Sequence, residues 1–321
     1  MRRGNFLMIF ATILITACNS GEKMNASLKT RETLHEIPSA SGIEFLDGKY
    51  WLIGDNSPWL FELNDAFELG EKHPVFPMDN VEKNGVIPKS RKHDYEAMTS
   101  LSWEGDSALF IFGSGSKTKR FQGVLVRIKN VIHPTVAAQK FDLTDFYSTI
   151  REKAKLKESE LNIEAAAVLG DHLFLFNRGK NKLISLKVQH FIEYLSGRRE
   201  TIKLKVKTIE LPEIDGIRAG FSGATADEKF HRIVFTASVE NTADWVADGE
   251  VLGSFIGVLN LLSLKNHAEP KCVLIKNKQE ILRVKAESIA LQESSENSFR
   301  CLVVTDSDGG NSELLKLKVQ L

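Results

Sequence analysis

The chain has 321 residues, with 42 basic and 42 acidic side chains, 8 histidines and 3 cysteines. This balance excludes the basic footprint of a nucleic-acid-binding protein, and so few cysteines exclude a disulfide-stapled scaffold. The length supports a large core, and no Pro-, Gly- or Ser-rich linker divides it, so one domain is expected after the N-terminal segment.

Arg2 and Arg3 precede an apolar stretch from Phe6 to Ile15, which ends in "ITAC" and the polar "NSGEK". This is the layout of a signal peptide over residues 1–17, and the apolar stretch is short for a membrane span. "ITAC" resembles a bacterial lipobox, which implies lipidation of Cys18 and a protein anchored by lipid in the bacterial cell envelope, outside the cytoplasm. A soluble secreted protein is the alternative. Residues 18–29 read as a solvated tether, and residues 30–321 as the folded domain.

Five segments then share one layout, starting at Ser41, Glu96, Glu164, Ser222 and Glu287 and spaced by about 55 to 68 residues. Each opens with Ser or Glu and a small residue. A short strand, a turn such as "LDGK" or "WEGDS", and a strongly apolar strand such as "LFIF" or "LFLF" follow, then a polar loop and usually a third strand. Strand triplets at this period predict an all-β propeller of five blades, with a sixth as the alternative. "TIKLKVKTIEL", residues 201–211, alternates as an outer strand should, and its lysines discourage edge pairing. One helical insertion is expected over residues 143–160, with Thr144 or Asp145 near its cap. The last repeat has only three strands, so "SLKTRETLHEI" before the first repeat is expected to supply the fourth and close the ring.

In a propeller the innermost strand lines the central channel. Ser41, Glu96, Glu164, Ser222 and Glu287 are therefore expected to ring one channel mouth, surrounded by the loops "GDNSP", "GSGSKTKR", "NRGKN", "SVENTADW" and "TDSDGGN". Three converging carboxylates disfavour one another's ionisation, and a cation would compensate them. Oxygen-only donors suit calcium better than zinc or copper. Alternatively, each Glu or Ser hydrogen-bonds backbone N–H groups and fastens adjacent blades, and the two roles are compatible.

The order Ser, Glu, Glu, Ser, Glu, with "GFSGATAD", "NIEAAAV" and "LFLFNRGKN", resembles the calcium-activated apyrases, secreted nucleotidases built as five-bladed propellers. The resemblance implies a central calcium on those five residues. It also implies phosphate-ester or anhydride hydrolysis, with Asp55, Lys117 and Arg178 in roles that position water and stabilise the phosphoryl group. "GSGSKTKR" lacks the aromatic residue that the resemblance would place there. The competing expectation is a propeller that does no chemistry and binds a small molecule, glycan or protein at the same mouth. "GSGS" lacks the following helix and "GK[ST]" of a phosphate loop, and "TDSDGGNSE" lacks EF-hand spacing. Cys272 and Cys301 sit in apolar runs, either paired or as two buried thiols.

Overall fold

The computed structural model describes residues 23–64, 66–76, 81–82, 85–129, 135–242, 249–261, 269–306 and 311–321. Cys18, the expected signal peptide and parts of the loops "SVENTADW" and "TDSDGGN" lie outside the described residues.

Strand β1 (Asn25–Pro38) comes first in the chain, followed by blade 1: β2 (Ala40–Leu46), β3 (Lys49–Gly54), β4 (Trp59–Leu63) and β5 (Leu69–Pro74). Blade 2 is β6 (Tyr95–Trp103), β7 (Asp106–Gly113), β8 (Gln122–Lys129) and β9 (Thr135–Asp142), and helix α1 (Thr144–Ala154) follows it. Blade 3 is β10 (Ile163–Leu169), β11 (His172–Asn177), β12 (Lys182–Lys187) and β13 (Lys205–Thr208), with helix α2 (Val188–Leu195) between its last two strands. A short ribbon, β14 (Glu213–Ile214) and β15 (Ile217–Arg218), leads to blade 4: β16 (Gly220–Asp227), β17 (Arg232–Asn241), β18 (Glu250–Asn260) and β19 (Lys271–Leu274). A second ribbon, β20 (Lys276–Asn277) and β21 (Glu280–Ile281), leads to β22 (Lys285–Ser294), β23 (Ser298–Asp306) and β24 (Asn311–Gln320). Each blade is a four-stranded antiparallel sheet with its innermost strand first, and β1 completes the fifth in the order β22-β23-β24-β1. The molecule is a five-bladed β-propeller.

The apolar strands read as continuous runs because both faces of each blade are buried. Leu173 and Leu175 pack toward blade 2, while Phe174 and Phe176, one position over, pack toward blade 4. The core accordingly consists of five apolar layers, each filling one gap between neighbouring blades.

Three expectations are corrected in detail. The outer strand within 201–211 is only β13 (Lys205–Thr208), and Ile202, Leu204, Ile209 and Leu211 on either side of it are buried. The insertion contains α1, but α2 is a second helix, and Phe146 of the first packs against Phe191 of the second, ring centroids 5.3 Å apart and tilted. The first helix is capped from outside its span, since Asp142 Oδ1 accepts from Thr144 N at 2.8 Å and from Thr144 Oγ1 at 2.6 Å. The third concerns the tether. β1 begins at Asn25, inside the segment read as solvated, because the open edge of β24 takes up its backbone and Ala26 packs into the layer between blades 4 and 5.

Cys272 and Cys301 are both free thiols. Burial pushes Cys272 up to about 12 and Cys301 higher still, so neither carries thiolate character. Among the described residues, no helix is long and apolar enough to cross a membrane.

Candidate functional site

Ser41, Glu96, Glu164, Ser222 and Glu287 occupy the same structural position in their blades. In each innermost strand the pairing register skips the residue that stands in the ring. Ala40 pairs with Gly54 and Gly42 with Ile53, passing over Ser41; Tyr95 and Ala97 pair on either side of Glu96. The same skip isolates Glu164, Ser222 and Glu287. A β-bulge bends its strand and re-aims the extra side chain, so five bulges turn five side chains out of the blade stacking. The small residue after each bulge lets neighbouring inner strands approach. A Cβ on Gly223 would lie 2.6 Å from Ser288 Cα in the next blade.

A cavity of about 420 Å³ opens at this end of the channel. Glu96, Glu164 and Glu287 line it, and one carboxylate oxygen from each lies within 4.8 Å of the other two. The two serines behave differently. Ser41 lines the cavity, but its hydroxyl donates to Tyr95 O at 2.6 Å. Ser222 is fully buried and donates to Thr236 Oγ1 at 3.1 Å, fastening strands within blade 4.

Of the residues expected at the loops, Asp55 and Arg178 line the cavity and Lys117 does not. Lys117 is exposed, because the turn Thr118–Arg120 carries the chain around so that Arg120, three residues on, enters instead. The "GSGS" loop supports that entry. Gly115 takes φ +73°, Ser114 Oγ donates to Asp94 Oδ2 at 2.7 Å, and Arg120 Nη1 donates to Ser116 Oγ at 2.6 Å. Arg178 enters across Gly220, where a Cβ would lie 2.7 Å from its Cγ.

The cavity contains its own cations. Lys92 pairs with Asp55 and, at 3.0 Å, with Asp94 Oδ1; Arg120 Nη1 lies 2.5 Å from Asp94 Oδ2. Arg178 pairs with Glu240 and lies 3.9 Å from Glu164 Oε2, while Lys285 Nζ lies 3.1 Å from Glu287 Oε1. Asn162 Nδ2 donates to Glu164 Oε1 at 2.5 Å. Glu96 is different: no hydrogen bond or ion pair among the described residues engages its carboxylate, and Lys92 acts on it only at longer range.

Electrostatics follow from this arrangement. Burial, then repulsion from Asp94, Asp55 and Glu164, raises Glu96 well above the usual carboxylate range. Burial raises Glu287 as well, against the pull of Lys285 and with the push of Glu164. Asp55 is pushed up to about 6 by burial, against the pull of Lys92, and its Oδ1 is buried without a partner. Burial works against the charge on Lys92, Arg178 and Lys285, yet their acidic neighbours outweigh it and hold all three protonated.

Sequence reasoning did not identify Lys92, Asp94, Arg120, Asn162, Glu240 or Lys285. One signal was available: Ser39, Asp94, Asn162, Gly220 and Lys285 each stand two residues before a ring position, and all five line the cavity. Ser39, Asp94 and Asn162 stand just before their strands, so the recurring offset in sequence, rather than strand periodicity, is the signal.

Five blades around a channel, with a mixed-charge cavity at one mouth, define the class: a β-propeller whose bulged inner strands line a candidate site. Residues 36–319 match the family described as "Family of unknown function (DUF6929)", and the chain belongs to it. No curated protein matches it in sequence. Among solved structures, the PQQ-bound aldose sugar dehydrogenase of Streptomyces coelicolor is similar over 93% of this chain and 99% of its own, at 11% identity and TM-score 0.48. Glutaminyl cyclase of Myxococcus xanthus aligns over 92% and 98%, at 10% identity and TM-score 0.45. The calcium-binding protein regucalcin of Agrobacterium tumefaciens aligns over 92% and 95%, at 13% identity and TM-score 0.43. At these values the three carry no functional argument.

Proposed function

We propose that this is a cell-envelope propeller, lipid-anchored through Cys18, that holds a hard divalent cation between Glu96, Glu164 and Glu287 and binds a small polar ligand beside it. The observation that carries the reading is the convergence of three carboxylates from three blades, one of them, Glu96, without a bonding partner. The donor set is oxygen only, which suits calcium. When bound, the ion would neutralise the trio and offer open positions to ligand oxygens. Lys285 and Arg178 already take up part of the charge of Glu287 and Glu164, so affinity is expected to depend most on Glu96.

Calcium titration followed by thermal melting tests this. At a hundredfold excess over Kd, bound ion stabilises by about 2.7 kcal/mol, a shift of several degrees. Glu96→Gln should abolish the shift. An unshifted wild type, or a shift that survives Glu164→Gln combined with Glu287→Gln, sinks the reading.

A second reading is apyrase-like hydrolysis of phosphate esters or anhydrides, favoured by Asp55. Its unpartnered buried oxygen and its value of about 6 suit a group that accepts a proton from water near neutral pH. Arg120 and Arg178 both line the cavity and could meet a phosphate, Arg178 in its expected part and Arg120 in the part expected of Lys117. Phosphate release from a panel of nucleotides and sugar phosphates decides it. Turnover that falls about 100-fold in Asp55→Asn supports hydrolysis, and a calcium shift without turnover leaves a binding protein.

A further inference from the structure

A second cavity, of about 350 Å³, opens at the opposite end of the channel, where the inner strands of all five blades finish. Glu44 of β2 reaches into it, only 8% exposed. Its wall is mixed: Leu46, Leu101, Val168, Ala226 and Leu291 supply apolar surface, Thr99, Ser100, Ser102, Ser107 and Thr225 supply hydroxyls, and Phe45 stands 43% exposed at its rim. Glu44 and Glu228 are its only charged residues among those described; no Lys, Arg or His lines it. Glu228 is engaged as the acceptor for Gly170 N at 2.8 Å.

Among the described residues, Glu44 and Glu96 are the two buried carboxyls that no cation of the chain pairs with, and Glu96 belongs to the other mouth. Glu62 faces Lys49, Asp94 faces Arg120, Asp227 faces Arg232, Glu287 faces Lys285, and Glu164 and Glu240 share Arg178. Glu44 has no cationic neighbour: Ser100 Oγ donates to it at 3.4 Å, and the backbone of Phe45 and Ser100 lies alongside. A buried carboxylate is costly unless paired. The other buried carboxyls among the described residues, Glu96 excepted, have their cation supplied by the chain.

We infer that this mouth binds a small organic ammonium ion, whose positive charge pairs with Glu44 while its hydrocarbon part packs on Phe45, Leu101 and Leu291. Calcium sites draw on several carboxylate and carbonyl oxygens, whereas here Glu228 is already taken by Gly170 N and Glu44 is the one open carboxyl among the described lining residues. The apolar side chains of the wall suit the short alkyl chain of a protonated amine, its hydroxyls can accept from the ammonium, and the acid-only charge pattern rejects anions. Nothing in the inference depends on the Glu96, Glu164 and Glu287 cluster.

The test uses n-butylammonium as probe on the full chain, with butyrate and n-butanol as matched controls, read by calorimetry and saturation-transfer NMR at pH 9, where the Glu44 carboxyl is ionised and the amine still protonated. Saturable binding of butylammonium is expected, with no binding of butyrate and at least tenfold weaker binding of butanol. Glu44→Gln should weaken the ammonium at least tenfold, while Glu164→Gln combined with Glu287→Gln leaves it unchanged. Ala226→Phe fills the same cavity from another blade without touching Glu44, and it should also abolish binding. The inference is overturned if the wild type shows no saturable binding, if butanol binds as well as the ammonium, if binding survives both Glu44→Gln and Ala226→Phe, or if only the variant of the other mouth loses it.

Discussion

Arg178 is held between Glu164 and Glu240, and all three are buried. Replacing it with Met leaves two carboxylates without their cation, and breaking a buried pair in this way costs about 3–5 kcal/mol. Urea denaturation should register that loss. Adding Glu240→Leu should recover part of it, because an apolar pair then replaces an orphaned charge. Glu44 makes the complementary prediction. Burial raises its carboxyl from 4.5 to about 8, so between those values the folded chain keeps a proton that the unfolded chain has released. Stability must then fall as pH rises through that window, by on the order of a few kcal/mol. Denaturation at pH 5 and pH 8 should show a smaller pH dependence in Glu44→Gln than in the wild type. Repetition made the ring acids readable: Glu96 alone is a carboxylate at the head of an apolar run, and it acquires a location only beside Glu164 and Glu287. Arg120 was not readable, because Lys117 stands in the same loop and only the path of the turn Thr118–Arg120 decides which side chain enters.

At the level of strands, the bulges decide what the inner strands can do. Regular pairing would send Glu96 into the apolar layer that holds Met98 or the one that holds Ala97; a skipped register sends it into the channel instead. No residue type announces a bulge, so the sequence marks the position of the ring without its cause. The neighbouring small residues are part of the same device. Gly223→Val would drive a side chain against Ser288 Cα and Thr236 Oγ1, and forcing volume into such a contact typically costs 1–3 kcal/mol. A lower urea midpoint would confirm the inter-blade contact, and an unchanged midpoint would show that the inner strands can separate freely. Strand order was legible because an apolar run, a turn and another apolar run recur five times. The helix α2 was not, since "VQHFIEYL" spans barely two turns and follows directly on a strand. Its place is set by packing against α1.

For the molecule as a whole, the decisive pairing is β1 with β24, where Arg31 makes two 2.9 Å hydrogen bonds to Glu313 and the register runs from Asn25↔Gln320 to Pro38↔Asn311. Deleting residues 1–38 would expose the edge of β24 to other chains. Size-exclusion chromatography should then show association beyond that of the intact chain, and a peptide of residues 23–38 added in trans should restore the intact chain's elution volume. That pairing also sets a direction. β22 leaves the Glu96 cavity at Lys285 and ends at Ser294, on the far side of the propeller; Ser298, Gln320 and Asn25 all lie at that far side. An extended chain from Cys18 to Asn25 reaches at most about 25 Å. On the proposed lipid anchor the propeller would therefore sit close to the bilayer with its charged mouth turned outward, and whatever that mouth captures would have to arrive from the surrounding fluid rather than along the membrane plane.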